Sequence, residues 1–369
     1  MEPQLFIGMM SGTSLDGIDA VILDGDTNTV ISSRAGNFPA DIHDELYQLI
    51  TSGKDLRLDD AKELHDKLAH VYADNIEQLL AAADISSSRI TAIGNHGQTV
   101  CHRPDANPPW TLQLGNPQLL ANLTGIPVVG DFRSADIGLG GQGAPLVPAF
   151  HKAAFTKQGL HQVIVNIGGI ANITLIDANG NVSGCDTGPG NTLLDEWCKL
   201  HLNQSFDADG QWAASGSVST QLLEKLLADP WLQLAPPKST GREYFNMVWL
   251  DKVLSSVDEI PEPADIQATL CELTARSISD AIVRNGQKPE TVAVCGGGAR
   301  NRQLMHRISA HLPDSVVCDT SVYGIEPEWV EAAAFAWLAK ARLNERPGNI
   351  PAVTGASGET LLGDIFKPE

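Results

Sequence analysis

The sequence predicts an α/β protein built of two lobes, on three observations. The chain has 369 residues, which at roughly 150 residues per domain makes about two domains. Strand-like and helix-like apolar patterns alternate along its whole length. A block of strand, glycine-rich turn and strand ending in Asp occurs twice, as LFIGMMSGTSLDGIDAVILD at 5–24 and QVIVNIGGIANITLID at 162–177. Identity between the two is weak, so the echo is one of plan.

The elements follow in order. QLFIGMM, DAVILDG and TVISSR read as strands at the start. A charged segment, 59–83, places Leu64, Leu68, Val71, Ile76, Leu79 and Leu80 near one helical face. Short strands return at TAIGN, TLQLG and PVVGD. From 126 to 148 the chain is rich in Gly and Pro without helical period, which predicts a crossing or hinge. The second block is followed by helices near 219–228, 244–257 and 265–284. The last carries Ile266, Leu270, Leu273 and Ile282 on one side, with Gly286 as its stop. The strand TVAVC runs into GGGARN and a helix, and EWVEAAAFAWLAKARL is a helix of little charge that should pack inside. The predicted lobes are residues 1–135, with the tail 350–369 packing back on them, and residues 136–349.

Composition excludes several functions. With 25 Lys and Arg against 45 Asp and Glu, the formal charge is −20. Duplex-DNA binding draws its affinity from cations on phosphates, and anionic membranes repel such a surface. No partner nucleic acid or membrane is therefore expected. The start MEPQLFIGMMSG lacks a basic stretch and a long apolar core, and no run of about 18 apolar residues occurs. A cytoplasmic location is predicted. The six cysteines are scattered without a C-x-x-C pair, as buried free thiols in a reducing compartment would be.

Three glycine-rich motifs could carry chemistry. Between the first two strands, Gly12, Thr13, Ser14, Leu15, Asp16, Gly17, Ile18 and Asp19 combine bare backbone with hydroxyls, which suits an anion. The same residues also suit a plain hairpin turned by Asp16 and Gly17. It is not a Walker loop, because no Gly-Lys-Ser/Thr follows. The second motif, CDTGPGN, places Asp186 and Gly188 before a helix-like stretch. Asp186 there is either a general base held near a phosphate or an ordinary cap. Gly168 and Gly169, close upstream, could face the same ligand. The third, CGGGARN, sets Gly296, Gly297 and Gly298 at a strand end. A plain turn needs one glycine, and three leave room for a flat ring or a phosphate. By contrast GLGGQG at 138–143 matches a dinucleotide fingerprint only in letters. No strand feeds it and prolines follow, so it reads as a flexible hinge or substrate loop. His96 and Gln98 in GNHGQT, Arg133 in GDFRSAD, and Glu331 in the apolar helix complete the candidates. Glu331 is costly to bury unpaired, so it faces a cleft or is neutralised. No His, Cys and Asp spacing suggests a metal site.

Taken together, GMMSGTSLDGID, GNHGQT, GDFRSADIGLGGQGAPLVP, VNIGGIAN, DTGPGN, CGGGARN and EAAAFAWLA resemble the anhydro-N-acetylmuramic acid kinase family, from about residue 5 to 366. That family belongs to the actin-like superfamily of sugar kinases, acetate kinases and chaperone ATPases. The resemblance implies two actin-like, ribonuclease H-like lobes with a nucleotide- and sugar-binding cleft between them. It implies a homodimer, and a reaction in which one site opens the ring of 1,6-anhydro-N-acetylmuramic acid with water and phosphorylates O6 from ATP. Mg²⁺ would accompany the nucleotide. By match to the family's motifs, Asp186 is the base, and Gly12 through Asp19 hold ATP phosphates. Gly296, Gly297 and Gly298 lie near the adenosine, while Arg133 and Glu331 contact sugar. His96, Gly168, Gly169 and Gly188 are expected to line the same site. Another sugar or carboxylate kinase of the superfamily, or a non-catalytic nucleotide switch, are the alternatives.

Overall fold

The computed structural model describes residues 3–12, 15–52, 57–236, 238–285 and 288–369. The chain forms two compact units. Unit 1 is Met1–Ala154, Tyr323–Ile325 and Trp329–Glu369, and unit 2 is Phe155–Val322 with Glu326–Glu328. This partition differs from a second lobe at 136–349 at both ends. The segment after Asp136 stays with unit 1, and so does the alanine-rich helix Val330–Leu343.

In unit 1, β1 (Leu5–Ser11), β2 (Ile18–Asp24) and β3 (Val30–Gly36) pair antiparallel. β1 also pairs in parallel with β4 (Ile90–Arg103), whose far end pairs with β5 (Trp110–Leu114). β4 continues to β6 (Val128–Gly130). In unit 2, β7 (Gln162–Ile167), β8 (Ile170–Ile176) and β9 (Val182–Pro189) repeat the antiparallel run. β7 pairs in parallel with β10 (Thr291–Cys295), which pairs in parallel with β11 (Val316–Asp319). Back in unit 1 the C-terminal β12 (Asp364–Phe366) closes the sheet against β6, antiparallel. Three antiparallel strands flanked by two parallel ones, in the same order in both units, is the ribonuclease H-like plan. The repeated sequence block supplies the first two strands each time.

Physical reasons for the sheet of unit 1 lie in its two covers. Strand residues alternate faces. Leu5, Ile7 and Met9 share a core with Leu64, Leu68, Tyr72, Ile76 and Leu79 of the helix Lys62–Ala83. On the other face, Gly8 and Gly94 stand opposite each other on β1 and β4. A side chain at Gly8 would collide with the Ala332 carbonyl, and one at Gly94 with that of Phe335. Bare backbone and a helix whose alanines 332, 333, 334, 336 and 339 are all buried thus fit together closely. With both faces covered, β1 and β2 are almost wholly apolar. In unit 2 the helix Pro263–Arg284 buries Ile266, Leu270, Leu273, Ile278 and Ile282 in the core around β7 and β8. Its predicted stop, Gly286, lies outside the described residues.

Helices Ala40–Thr51 and Pro117–Thr124 are additions to the sequence reading, and β4 runs on through GNHGQT, well beyond the short strand expected at TAIGN. All six cysteines are free, five of them buried and Cys318 partly so. Among the described residues no helix is long and apolar enough to cross a membrane.

Candidate functional site

The polar candidates of unit 1 converge. His96 is 4% exposed on β4, with its ring 4.7 Å from that of Phe335. Arg133 donates to His96 Nε2 from Nε at 3.1 Å, with Nη2 2.7 Å from the same atom, and from Nη1 to the Gly143 carbonyl at 2.6 Å. Burial, then the facing guanidinium, hold His96 well below the usual histidine range, so the ring is neutral and Nε2 accepts. Burial lowers Arg133 to about 10, with the charges of Glu331 and Asp136 opposing that shift, and it remains a cation at neutral pH. Glu331, half-buried at the start of its helix, is therefore neutralised by Arg133.

The first glycine motif is the β1–β2 connection. Thr13 and Ser14 lie outside the described residues. Gln98, fully buried, donates from Nε2 to the Gly12 carbonyl at 3.1 Å and fixes the entry to this loop. Leu15 and Ile18 are core residues, 5% and 0% exposed, so their side chains anchor the loop and only backbone can face a ligand. Asp16 is exposed, and Gly17 and Asp19 are half-buried.

The stretch 138–143 is not a free hinge. Asp136, fully buried, accepts from Gly143 N at 2.8 Å, Asn349 Nδ2 at 2.7 Å and Thr354 Oγ1 at 2.7 Å. Gln142 N donates to the Thr354 carbonyl at 2.7 Å, and Ser357 N to that of Leu139 at 2.9 Å. Glycine content suggested mobility, but the buried Asp136 carboxylate and the Leu139 and Thr354 carbonyls take up these donors and pin the loop.

In unit 2, Asp186 sits inside β9 opposite Asn172, where a strand-to-helix turn was expected. The helix Thr192–Leu202 begins six residues later. A segment missed in the sequence crosses it. Asp186 N donates to the Lys238 carbonyl at 3.2 Å, and Thr240 N donates to Asp186 Oδ2 at 2.9 Å. The Lys238 ammonium instead donates to the carbonyls of Trp231 and Leu232 at 3.3 and 3.2 Å, and stands 4.2 Å above the Trp231 ring. Desolvation outweighs the Thr240 hydrogen bond and the Lys238 charge, and the carboxyl is pushed up to about 6. A carboxylate poised there can accept a proton near neutral pH.

The glycines of unit 2 divide by task. Gly190 N and Asn191 N donate to the carbonyls of Gly169 and Gly168 at 2.9 and 2.8 Å, tying the second motif to the β7–β8 turn. Gly188 is buried, and a side chain there would meet Leu232 and Ser277. Gly296 takes φ of 78°, and Gly298 packs on Ile167. Those two are explained by the turn and by packing. Gly297 is exposed, with nothing nearer than 3.6 Å to the position of a side chain, so it alone in that motif presents open backbone. At Gly169 a side chain would fall 2.7 Å from Thr192 Oγ1 and 2.8 Å from Arg242 Nε. Neither Thr192 nor Arg242 was foreseen. Arg242 lies in a short polar run, STGRE, without periodicity, and a cation in such a run is its only signal. Among the described residues no group of three or more His, Cys, Asp or Glu is placed to hold a metal ion.

Comparison with known proteins agrees over the full length. The family described as anhydro-N-acetylmuramic acid kinase matches residues 4–368. A protein of that name from Saccharophagus degradans is 47% identical, covering 100% of both chains. One from Thiobacillus denitrificans is 48% identical, covering 99% of this chain and 97% of its own. Among solved structures, the ADPNP-bound activator of 2-hydroxyisocaproyl-CoA dehydratase from Clostridium difficile aligns over 93% of this chain and 96% of its own, with a TM-score of 0.49 and 14% identity. A Streptomyces griseus glucokinase of the ROK family aligns over 90% and 99%, with a TM-score of 0.40 and 15% identity. With matching motifs, full-length coverage and near-half identity to its relatives, the chain belongs to the anhydro-N-acetylmuramic acid kinase family.

Proposed function

We propose that this protein is an ATP-dependent kinase that opens the anhydro ring of 1,6-anhydro-N-acetylmuramic acid and phosphorylates O6, in the recycling of cell-wall sugar. The observation that carries the reading is Asp186, a half-buried carboxylate pushed up to about 6 in the motif matching the family's base. In the reaction Asp186 takes a proton from water as its oxygen bonds to C1. The C1–O6 bond breaks and O6 bonds to the γ-phosphorus. The bond from phosphorus to the β-phosphate bridging oxygen breaks, and ADP leaves. The products are N-acetylmuramate 6-phosphate and ADP.

Arg133, oriented by His96 and balanced by Glu331, supplies a fixed cation for the sugar. Held hydrogen-bond donors and charges stabilise developing charge without reorganising during the reaction. The loop from Gly12 to Asp19 and the glycines at 168, 169, 188, 296, 297 and 298 are assigned to ATP. Open backbone at Gly297, with the unpartnered buried hydroxyl of Thr192 beside Gly169, supports a phosphorylated ligand. Mg²⁺, bound through phosphates and water, would neutralise the nucleotide. A homodimer in the cytoplasm completes the proposal.

Mass spectrometry after mixing protein, Mg·ATP and the anhydro sugar in ¹⁸O water tests it. The expected product carries one phosphate and one ¹⁸O, at C1. Label only in phosphate, or no consumption of the anhydro sugar while another sugar or a carboxylate is phosphorylated, overturns the reading.

A further inference from the structure

We propose that Arg242, together with Thr192 Oγ1 and the bare backbone of Gly169, is the grip of unit 2 on a phosphoryl group of the nucleotide. The inference rests on the nucleotide reading above and adds to it Arg242, to which nothing has yet given a role.

Three groups meet at one point. The unfilled side-chain position of Gly169 lies 2.7 Å from Thr192 Oγ1, and 2.8 and 2.9 Å from Arg242 Nε and Nη2. Thr192 is 3% exposed, and its hydroxyl has no hydrogen-bond partner among the described residues. A buried hydroxyl left unsatisfied costs stability, which a hydrogen bond to a ligand oxygen removes. The Arg242 guanidinium makes no ion pair among the described residues, so its charge is available. Thr192 also begins an 11-residue helix, whose N-terminus favours an anion. The N-cap residue Asn191 makes no capping bond. Its amide instead donates to the Ile167 carbonyl at 3.2 Å.

Asn191 Nδ2 is 3.6 Å from the side-chain position of Gly297, the one open glycine of the third motif. Gly169, through Thr192, and Gly297, through Asn191, therefore both adjoin the same helix start inside unit 2. Arg242 is two residues beyond Thr240, whose N–H holds Asp186. Two residues reach at most about 7 Å, so one short segment steadies the base and carries the cation.

Calorimetric titration of full-length protein with Mg·ATP and, separately, adenosine, without sugar, tests this on wild type, Arg242→Ala, Arg242→Lys and Thr192→Val. Charge-assisted hydrogen bonds predict a loss of roughly 10–100-fold in ATP affinity for Arg242→Ala. Arg242→Lys recovers part of it, Thr192→Val loses less in the same direction, and adenosine binds all four proteins alike. Unchanged ATP affinity in Arg242→Ala overturns the inference. Equal losses for ATP and adenosine overturn it too, since they mark a structural role. A raised KM for the sugar with unchanged ATP affinity assigns the cation to the sugar carboxylate instead. Wild type that binds ATP but leaves the anhydro sugar untouched refutes the substrate while the Arg242 assignment stands.

Discussion

The polar cluster of unit 1 and that of unit 2 solve the burial of charge in opposite ways. Around Arg133, every charge has an opposite or neutral acceptor: Glu331 and Asp136 by their field, His96 and the Gly143 carbonyl by hydrogen bonds. Around Asp186 there is one backbone N–H, and the nearby Lys238 ammonium is turned onto two carbonyls and an indole ring. The first arrangement keeps a cation charged and still. The second leaves a carboxyl under-compensated, so its proton affinity rises. On the roles proposed above, full pairing suits a binding residue, whereas withholding it suits a base.

The largest effect should come from removing the proposed base. Asp186→Asn is expected to lower turnover by roughly 10²–10⁴-fold or more while ATP affinity stays near wild type. Near-wild-type turnover would break the contrast between the clusters. Stability should move the other way. With its folded pKa at about 6 against 3.8, Asp186 holds its proton more tightly in the folded chain. Its penalty grows as pH rises from about 4 to 6 and is complete above. Asp186→Asn should therefore raise Tm relative to wild type at pH 7–8 and not near pH 4. Across the same window wild-type kcat/KM should climb to a plateau above about pH 6.

Breaking the paired cluster comes next. Arg133→Met removes the buried cation on which the charges of Glu331 and Asp136 act, with an expected loss of roughly 3–5 kcal/mol in urea unfolding. Adding Glu331→Gln should recover part of it, and recovery absent from the double variant would show that the two do not compensate each other. Gly94→Ala, which drives a methyl into the Phe335 carbonyl, should cost about 1–3 kcal/mol. The smallest change is Asn301→Ala, which removes the cap accepting from Leu304 N at 3.0 Å and should cost about 1 kcal/mol.

Particular residues show where sequence reading stopped. The strands β1, β2, β7 and β8 are runs of apolar residues broken by glycine turns, and those local signals predict them directly. His96, Arg133 and Glu331 were each visible as polar residues in apolar or glycine settings. Their meeting was not, because they are far apart in the chain and only the packing of Val330–Leu343 on β1 and β4 joins them. The 138–143 loop misled because glycine content reports what a backbone is able to do. Asp136 and its distant partners Asn349 and Thr354 decide what it does.

By itself the sequence determined the α/β class, the repeated strand plan and the family, since periodicity and contiguous motifs are local. The tertiary structure alone decided which glycines are packing devices and which are open: Gly8, Gly94, Gly169 and Gly298 receive a helix or side chains, while Gly297 has nothing nearer than 3.6 Å. It also decided that Asp186 is desolvated, that Thr240 stands at its strand, and that Thr192 and Arg242 stand at the neighbouring turn. Proton affinity and ligand access depend on neighbours in space, and the chain's order does not record them.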